Sequence, residues 1–249
     1  MKLVVDPGHG GRDPGAVGPD LGLAEKTTVL DVGLALRDFL AAYKFEVVMT
    51  RTDDTFVSLR RRVETANSAR PELVLSLHVN SSENRDARYF SAHVFSRQGP
   101  AAHVAEAILP PLAEVSGWPN GGIRVNNFYV LRETVSPAVL LELGFISNRE
   151  QEMALSRPDW HRQLARAIAT GLAGYYQVEP AAPFPDIGGH WAGEAIAAVA
   201  KNGFMQGYPD GYFWPDKEAT RAEVAVAIYR LWQKVADTEA GKGRAGEES

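Results

Sequence analysis

The chain has 249 residues, of which 45% are hydrophobic and 23% are charged, and this composition is typical of an ordinary globular protein. Its 26 basic and 31 acidic residues give a net charge of −5, which argues against nucleic-acid binding through bulk electrostatics. It contains no cysteine, so a disulfide framework is excluded and any metal site must use His, Asp or Glu side chains.

The first 176 residues alternate between strand-like and helix-like patterns. Short apolar or β-branched runs predict strands at 2–6, 46–50, 72–80, 89–95 and 138–145. Helical spacing of apolar residues predicts helices at 25–43, 58–70, 101–115 and 162–176, the third interrupted by Pro110 and Pro111. This alternation predicts an α/β fold in which a mostly parallel twisted sheet is flanked by helices.

The composition changes after residue 177. Residues 178–184 are rich in Pro and Ala, which is typical of a linker. A stretch rich in glycine and aromatic residues follows at 184–233, and residues 234–249 have almost no large apolar side chain. We therefore predict a large domain at 1–177, the linker, a small helical module and a disordered tail.

Four side chains with metal-binding or acid–base chemistry fall at one edge of the predicted sheet. His9 follows the first strand, Glu25 begins the first long helix, and His78 and Glu142 lie toward the ends of two later strands. The carboxyl ends of parallel strands meet at one edge, so these groups are expected to converge. A zinc hydrolase needs about three such ligands and a separate proton shuttle, and His9, Glu25 and His78 with Glu142 fit these roles.

Each of these residues also has a structural alternative. His9 could be solvated, and His78 could be a hydrogen-bonded core residue. Glu25 could offset the helix dipole, and Glu142 could pair with a buried arginine. The glycine-rich run DPGHGGRDPGAVG (6–18) could instead cradle phosphate, but it has neither a G-x-G-x-x-G nor a P-loop pattern.

Several motifs together resemble the zinc-dependent N-acetylmuramoyl-L-alanine amidases of the type 3 family. They are VVDPGHGGRDPGAVG, EK at 25–26, TRTDD at 50–54, L..R...AN at 59–67, LSLHVN at 75–80 and PAVLLELGFISN at 137–148. The resemblance implies one zinc ion held by His9, Glu25 and His78, with Glu142 as the catalytic glutamate. It also implies peptidoglycan as substrate, cleaved at the amide between N-acetylmuramic acid and L-alanine.

Other polar residues of this domain also have expected roles. Arg51 and Arg62 follow the family pattern, and we expect them to pair with Asp53 or Asp54 and hold a loop. Asn80 could orient substrate, but a turn-forming role is favoured. Three further histidines, His93, His103 and His161, are expected to be structural or have no assigned partner.

Residues 184–233 resemble a single S-layer homology repeat, a module that anchors proteins to anionic secondary wall polymers. Arg221 follows Thr220 at the start of a predicted helix and could bind a carboxylate of such a polymer, or pair with Glu223 or Glu218. Trp191 and Trp214 are expected to form the core of the module. His190 is interpreted as a residue at a helix start.

The sequence therefore predicts a peptidoglycan amidase that acts at the cell wall. Two alternatives are a non-catalytic wall-binding or regulatory protein on the same fold, and a zinc hydrolase of another amide. No apolar run approaches the ~18 residues of a membrane span, and no signal peptide is visible after Met1. That start suits a phage endolysin or a trimmed form of a secreted autolysin.

Overall fold

The computed structural model describes the backbone of residues 1–245 and the side chains of residues 1–237. The chain divides between Ala181 and Ala182 into two compact units, and each is described by itself. Among the described residues, no helix combines the length and apolar character that crossing a membrane requires.

The first unit is built on a six-stranded sheet. Its strands are β1 (Lys2–Pro7), β2 (Glu46–Met49), β3 (Leu73–Asn80), β4 (Phe90–Val94), β5 (Asn120–Val125) and β6 (Ala138–Phe145). They lie in the order β2-β1-β3-β6-β4-β5. Strands β2, β1, β3 and β6 are parallel, β4 is antiparallel to β6, and β5 is parallel to β4. The predicted mostly parallel sheet is thereby confirmed, with β5 as a strand that the sequence did not indicate.

Six helices belong to the same unit. They are α1 (Glu25–Ala42), α2 (Leu59–Ala69), α3 (Pro100–Ser116), α4 (Tyr129–Glu133), α5 (Arg149–Leu155) and α6 (Pro158–Tyr176). Helices α1 and α3 pack on α6, and α1 also contacts β1 and β3. Helices α2 and α4 pack together over Val4, Val74, Ala138 and Leu140, so both faces of the sheet are covered.

Helix α3 is continuous, which corrects the predicted interruption at Pro110 and Pro111. Proline lacks the N–H that would bond four residues back, so Pro111 leaves the carbonyl of Ala107 without its usual donor. Gly171 of α6 lies against that carbonyl: a Cβ at Gly171 would stand 2.6 Å from the Ala107 oxygen. Close packing of α6 on α3 therefore stabilises a helix that its prolines alone would break.

A buried ion pair lies under the carboxyl end of β1. Arg62 of α2 donates from Nη1 to Asp6 Oδ1 at 2.7 Å, and both side chains are at most 3% exposed. Thr50 and Ser76 also donate to the Asp6 carboxylate. Burial alone would raise the pKa of Asp6, but the Arg62 charge and these hydrogen bonds outweigh it and lower the pKa. The ion pair joins α2 to the central strands.

The second unit is small and mainly helical. It contains a 3₁₀ turn at Pro185–Ile187, helix α7 (Gly193–Lys201) and helix α8 (Arg221–Ala245). The Asp186 carboxylate accepts hydrogen bonds from the backbone N–H groups of Phe213 and Trp214. This contact ties the turn to the loop between the helices.

The tryptophans of this unit do not form its core, which corrects that expectation. Trp191 is 91% exposed and Trp214 is 38% exposed, whereas Ile187, Ile196 and Tyr212 are buried. Trp191 lies in the turn before α7 with its ring beside that of His190, and Trp214 stacks on Tyr212. A module of this size buries only a few large side chains.

The predicted tail also differs from the structure. Helix α8 continues to Ala245, so residues 234–245 are helical rather than disordered. No proline interrupts this segment, and alanine, glutamate and lysine favour a helix. Residues 246–249 of the predicted tail lie outside the described residues.

We predict that Asp6→Asn lowers the free energy of unfolding by about 3–5 kcal/mol at pH 7, because Arg62 would be left buried without its anion. The pKa of Asp6 is lowered in the folded state, so its contribution is present above about pH 4 and is lost as pH falls further. Urea unfolding of both proteins between pH 3 and pH 7 measures the difference. A matched control is Asp38→Asn, which removes an exposed partner of Arg37 and should cost less than about 1 kcal/mol. A loss for Asp6→Asn no larger than the control's would contradict this account.

Candidate metal centre

The glycine-rich turn after β1 is shaped by close packing against the site. His9 itself has a left-handed backbone, with φ +56°, and the next two glycines also have positive φ. A Cβ at Gly8 would stand 2.4 Å from the His78 ring, and one at Gly15 would stand 2.6 Å from Glu25 Oε2. These two glycines let the backbone approach the side chains of the site, which accounts for the composition of the turn.

Two buried arginines hold this turn through its backbone carbonyls. Arg51 donates to the carbonyl oxygens of Pro7, Gly8, Lys26 and Asp53.

Arg62 donates to the carbonyl oxygens of Pro7 and His9 as well as to Asp6. The expectation that the arginines pair with the Asp53 or Asp54 carboxylates is therefore wrong. Asp54 instead pairs with Lys26 at 2.6 Å. The backbone carbonyl groups near the end of β1 offer the two buried guanidinium groups acceptors that the exposed Asp53 and Asp54 carboxylates do not.

The structure brings His9, Glu25 and His78 together. One potential ligand atom from each lies within 4.8 Å of the others. Glu25 Oε1 is 3.2 Å from His9 Nε2 and 3.0 Å from His78 Nδ1, and the two imidazole rings meet edge to face with centroids 5.0 Å apart. The convergence predicted from the strand ends is thus present in the fold.

The Glu25 carboxylate is fixed by the backbone as well as by the histidines. Val79 N–H donates to Oε1 and Ala16 N–H donates to Oε2, each at 2.9 Å. Burial alone would raise the pKa of Glu25, but the hydrogen bonds and charges of His78 and His9 reverse the effect and lower it well below its usual value. Glu25 is therefore an anion at neutral pH.

Asp13 belongs to the site although the sequence did not single it out. Its Oδ2 lies 3.0 Å from His9 Nδ1, the ring nitrogen opposite the one that faces Glu25. Metal-binding histidines commonly bond a carboxylate through their second nitrogen, which fixes the tautomer. Burial lowers the pKa of His9, but Glu25 and Asp13 outweigh it and raise the pKa. The spacing His9-x-x-x-Asp13 within the turn was the available signal.

Glu142 lies on β6, beside His78 of β3 in the parallel register. Its Oε2 is fully buried and has no hydrogen-bond partner among the described residues. Burial raises the pKa of Glu142 to about 7. An unpaired buried carboxyl group is costly, and its place beside the cluster suits proton transfer near neutral pH.

The remaining predicted residues of the first unit are not part of this cluster. Asn80 Oδ1 accepts a hydrogen bond from Ser81 N–H, which is the turn contact that the sequence favoured. His93 is buried on β4 and its Nδ1 lies 2.6 Å from Asn126 Oδ1. His161 is buried near the Leu155 carbonyl, and His103 is exposed on α3.

Arg221 lies in the second unit, where its side chain is exposed at the start of α8. The Glu223 carboxylate accepts hydrogen bonds from Thr220 and from the Tyr208 hydroxyl, forming a capping box. Glu223 thus caps the helix. His190 Nδ1 accepts a hydrogen bond from Ala192 N–H just before α7, in agreement with a role at a helix start.

Comparison with known proteins finds two families along the chain. Residues 3–174 match the family described as N-acetylmuramoyl-L-alanine amidase, and residues 183–225 match the S-layer homology domain. The chain is 37% identical over 175 residues to the sporulation-specific N-acetylmuramoyl-L-alanine amidase of Bacillus subtilis, covering 69% of this chain and 67% of that protein. It is 35% identical over 179 residues to the amidase LytC of the same species, covering 70% of this chain and 35% of LytC.

Solved structures agree with these matches. The catalytic domain of CwlV, an N-acetylmuramoyl-L-alanine amidase from Bacillus (Paenibacillus) polymyxa, has a TM-score of 0.68 at 36% identity, covering 72% of this chain and 99% of that chain. The amidase AmiC2 of Nostoc punctiforme has a TM-score of 0.68 at 34% identity, covering 71% of this chain and 97% of that chain. The similarity covers the first unit, which contains the His9–Glu25–His78 cluster.

We predict that Gly8→Ala lowers the affinity for zinc by about 10–100-fold, because the new methyl group must displace the His78 ring. Competition with a chromophoric chelator measures the affinity. Gly174→Ala is the matched control, since a Cβ there meets nothing within 4 Å. Equal zinc affinities for the two variants would show that packing of Gly8 on His78 does not shape the site.

We predict that Glu142→Gln stabilises the metal-free protein at pH 8 by about 2–3 kcal/mol. A carboxyl group whose folded pKa is raised to about 7 destabilises the fold above its unfolded pKa, and this cost grows as pH rises toward 7. Glutamine removes the charge with little change in shape, so the gain should shrink toward zero near pH 4. Denaturant unfolding in the presence of a chelator measures it. A variant less stable than the wild type at pH 8 would be evidence that the ionised Glu142 carboxylate is stabilised by its surroundings.

Proposed function

The chain belongs to the N-acetylmuramoyl-L-alanine amidase family, and on that premise we propose that it hydrolyses the amide between the lactyl group of N-acetylmuramic acid and L-alanine in peptidoglycan. The observation that carries the proposal is the grouping of His9, Glu25 and His78 beside the unpaired carboxyl group of Glu142. Two histidines and one carboxylate with a separate acid are the groups that a zinc amide hydrolase needs.

The donor set fits a zinc ion. Ligand atoms about 2.0–2.2 Å from a common tetrahedral ion stand a little over 3 Å apart. The separations of Glu25 Oε1 from His9 Nε2 and His78 Nδ1, 3.2 and 3.0 Å, are of that size. Imidazole nitrogen and carboxylate oxygen are ligands that zinc prefers. Asp13 contacts the second ring nitrogen of His9, which fixes the tautomer of that ring. We propose that these three residues hold one zinc ion per catalytic domain.

Zinc bound there would act as a Lewis acid that activates water and polarises the scissile carbonyl. Glu142 accepts a proton from the attacking water as the new C–O bond forms. It then donates that proton to the alanine nitrogen as the C–N bond breaks, which leaves a lactyl carboxylate and a free amino group. A pKa raised to about 7 lets Glu142 serve both steps near neutral pH.

The S-layer homology domain supports action at the cell wall. We propose that this unit binds an anionic secondary wall polymer and holds the catalytic unit close to its substrate. Arg221 is exposed at the start of α8, and its guanidinium group can donate two parallel hydrogen bonds to one carboxylate. Local concentration of the enzyme on the wall would raise its effective activity without any change in the catalytic site.

We predict that Glu142→Gln retains one zinc ion per chain and loses turnover of purified walls by at least about 100-fold, because the proton acceptor is removed and the ligands remain. Metal analysis and release of new N-terminal alanine measure the two properties. Glu114→Gln, an exposed change on α3, is the matched control and should behave as wild type.

The same assay separates the proposal from its two alternatives. Zinc binding without any hydrolysis by the wild-type protein would favour a non-catalytic wall-binding protein. Hydrolysis of peptides but not of walls would favour a zinc hydrolase of another amide. An active Glu142→Gln variant would show that another group transfers the proton.

A further inference from the structure

A cavity of about 510 Å³ opens beside the proposed metal site on the side of the sheet covered by α2 and α4. Its walls are formed by Phe56, Leu59 and Tyr129, and we call it the aromatic cavity. We infer that the aromatic cavity binds the muramyl sugar ring of the substrate. The inference rests on the proposed function and names the part of the substrate that this side of the site recognises. The volume lies within the range of about 300–1,000 Å³ that small-molecule sites occupy.

The aromatic cavity is continuous with the cluster. Its lining includes His9 and His78, and also Gly8 and Asp13 of the turn. A substrate whose scissile amide lies at the cluster can therefore place one of its two flanks in this cavity. The sugar ring is attached to the lactyl group through a single ether oxygen, so the ring necessarily lies close to the amide on one flank. The stem peptide forms the other flank.

The walls of the aromatic cavity present apolar surface to the solvent. Phe56 is 40% exposed and Leu59 is 57% exposed, although both are large apolar side chains. Tyr129, the first residue of α4, is half-buried across from them. Exposed aromatic and aliphatic groups around a concave site mark a binding surface. The C–H faces of a pyranose ring pack well on such groups.

The charged groups that line the aromatic cavity are paired within the protein, and the Arg12 guanidinium outside that lining lies over the Phe56 ring at 4.5 Å. Asp6 pairs with Arg62, and Asp13 lies against His9. Arg60 pairs with Glu64 one turn further along α2, at 2.8 Å. The cavity therefore has little charge to offer the free carboxylates of a stem peptide, and it favours the uncharged sugar ring.

Guanidinium groups are instead concentrated in a different cleft of the same unit. Arg85, Arg88 and Arg149 line that cleft, which is built from the loop after β3 and the start of α5. None of the three proposed zinc ligands lines it. These guanidinium groups are matched by Asp20, Asp86 and Glu150 in the same lining. The two surfaces therefore differ in their aromatic groups rather than in net charge, and the aromatic surface is the one that adjoins the cluster.

The walls of the aromatic cavity are held in place before any ligand binds. Ser58 caps α2 by accepting a hydrogen bond from Arg61 N–H, which fixes the loop that carries Phe56. On the other wall, the buried His93 lies 2.6 Å from Asn126 Oδ1 and packs on the Phe128 ring, directly before Tyr129. A preformed wall loses little conformational entropy on binding. This role also accounts for the buried His93, which the proposed reaction does not use.

The test compares two substrates that share the scissile amide. One is a disaccharide-peptide, and the other is the same peptide carrying only the lactyl group. We expect Phe56→Ala and Tyr129→Ala to lower the ratio of kcat/KM for the sugar-bearing substrate to that for the sugar-free substrate by about tenfold. Arg88→Ala, in the guanidinium cleft, is the control and should leave this ratio unchanged. An unchanged ratio in both cavity variants would overturn the inference.

Binding gives a second readout that does not depend on turnover. The free disaccharide of N-acetylglucosamine and N-acetylmuramic acid is titrated into zinc-loaded Glu142→Gln protein, observed by NMR. We expect chemical-shift changes at Phe56 and Tyr129, and weaker binding when Tyr129→Ala is added. Shifts confined to the guanidinium cleft would overturn the inference. Failure of the proposed function is distinguishable, because the wild-type protein would then cleave neither substrate.

Discussion

The guanidinium group of Arg62, buried beneath the glycine-rich turn, is the contact on which the arrangement of the site depends. It binds the Asp6 carboxylate and the carbonyl oxygens of Pro7 and His9, so one charged group joins α2 to the end of β1 and to the first proposed ligand. Arg51 holds the same turn from its other side. A buried charge is tolerated only when it is fully paired, and here the pairing partners are the backbone groups that place His9. Two buried arginines thus stabilise one turn.

The close approach of this turn to neighbouring side chains brings the proposed metal ligands together. The backbone of Gly8 touches the His78 ring and Gly15 approaches Glu25, so the three ligand atoms can meet over a backbone that has no side chains in the way. Glu142 is the contrasting case, since its Oε2 atom is buried without a hydrogen-bond partner beside charged groups that are hydrogen-bonded. A buried carboxylate oxygen without a partner, placed beside a cluster of titratable groups, is typical of a residue kept for reactivity rather than stability.

Much of this arrangement could be predicted from the sequence. The alternation of apolar runs gave the parallel strands, and the rule for strand ends placed His78 and Glu142 at one edge. What the sequence could not supply was tertiary: β5 (NGGIRV) has the composition of a turn and is a strand because it pairs with β4. The acceptors of Arg51 also depend on backbone that is distant in sequence. The prolines inside α3 are a further case, because α3 packs closely on α6 and this tertiary contact is not visible in the local sequence.

The central claim is that His9, Glu25 and His78 together hold a single zinc ion while Glu142 stays free to carry a proton. A crystal structure of the zinc-loaded protein, with the metal located by anomalous scattering at the zinc edge, tests it most directly. The account predicts one zinc peak bound by two imidazole nitrogens and the Glu25 carboxylate, with Glu142 nearby but not bound. A zinc ion held by Glu142 or Asp13 in place of one of these three residues would contradict it.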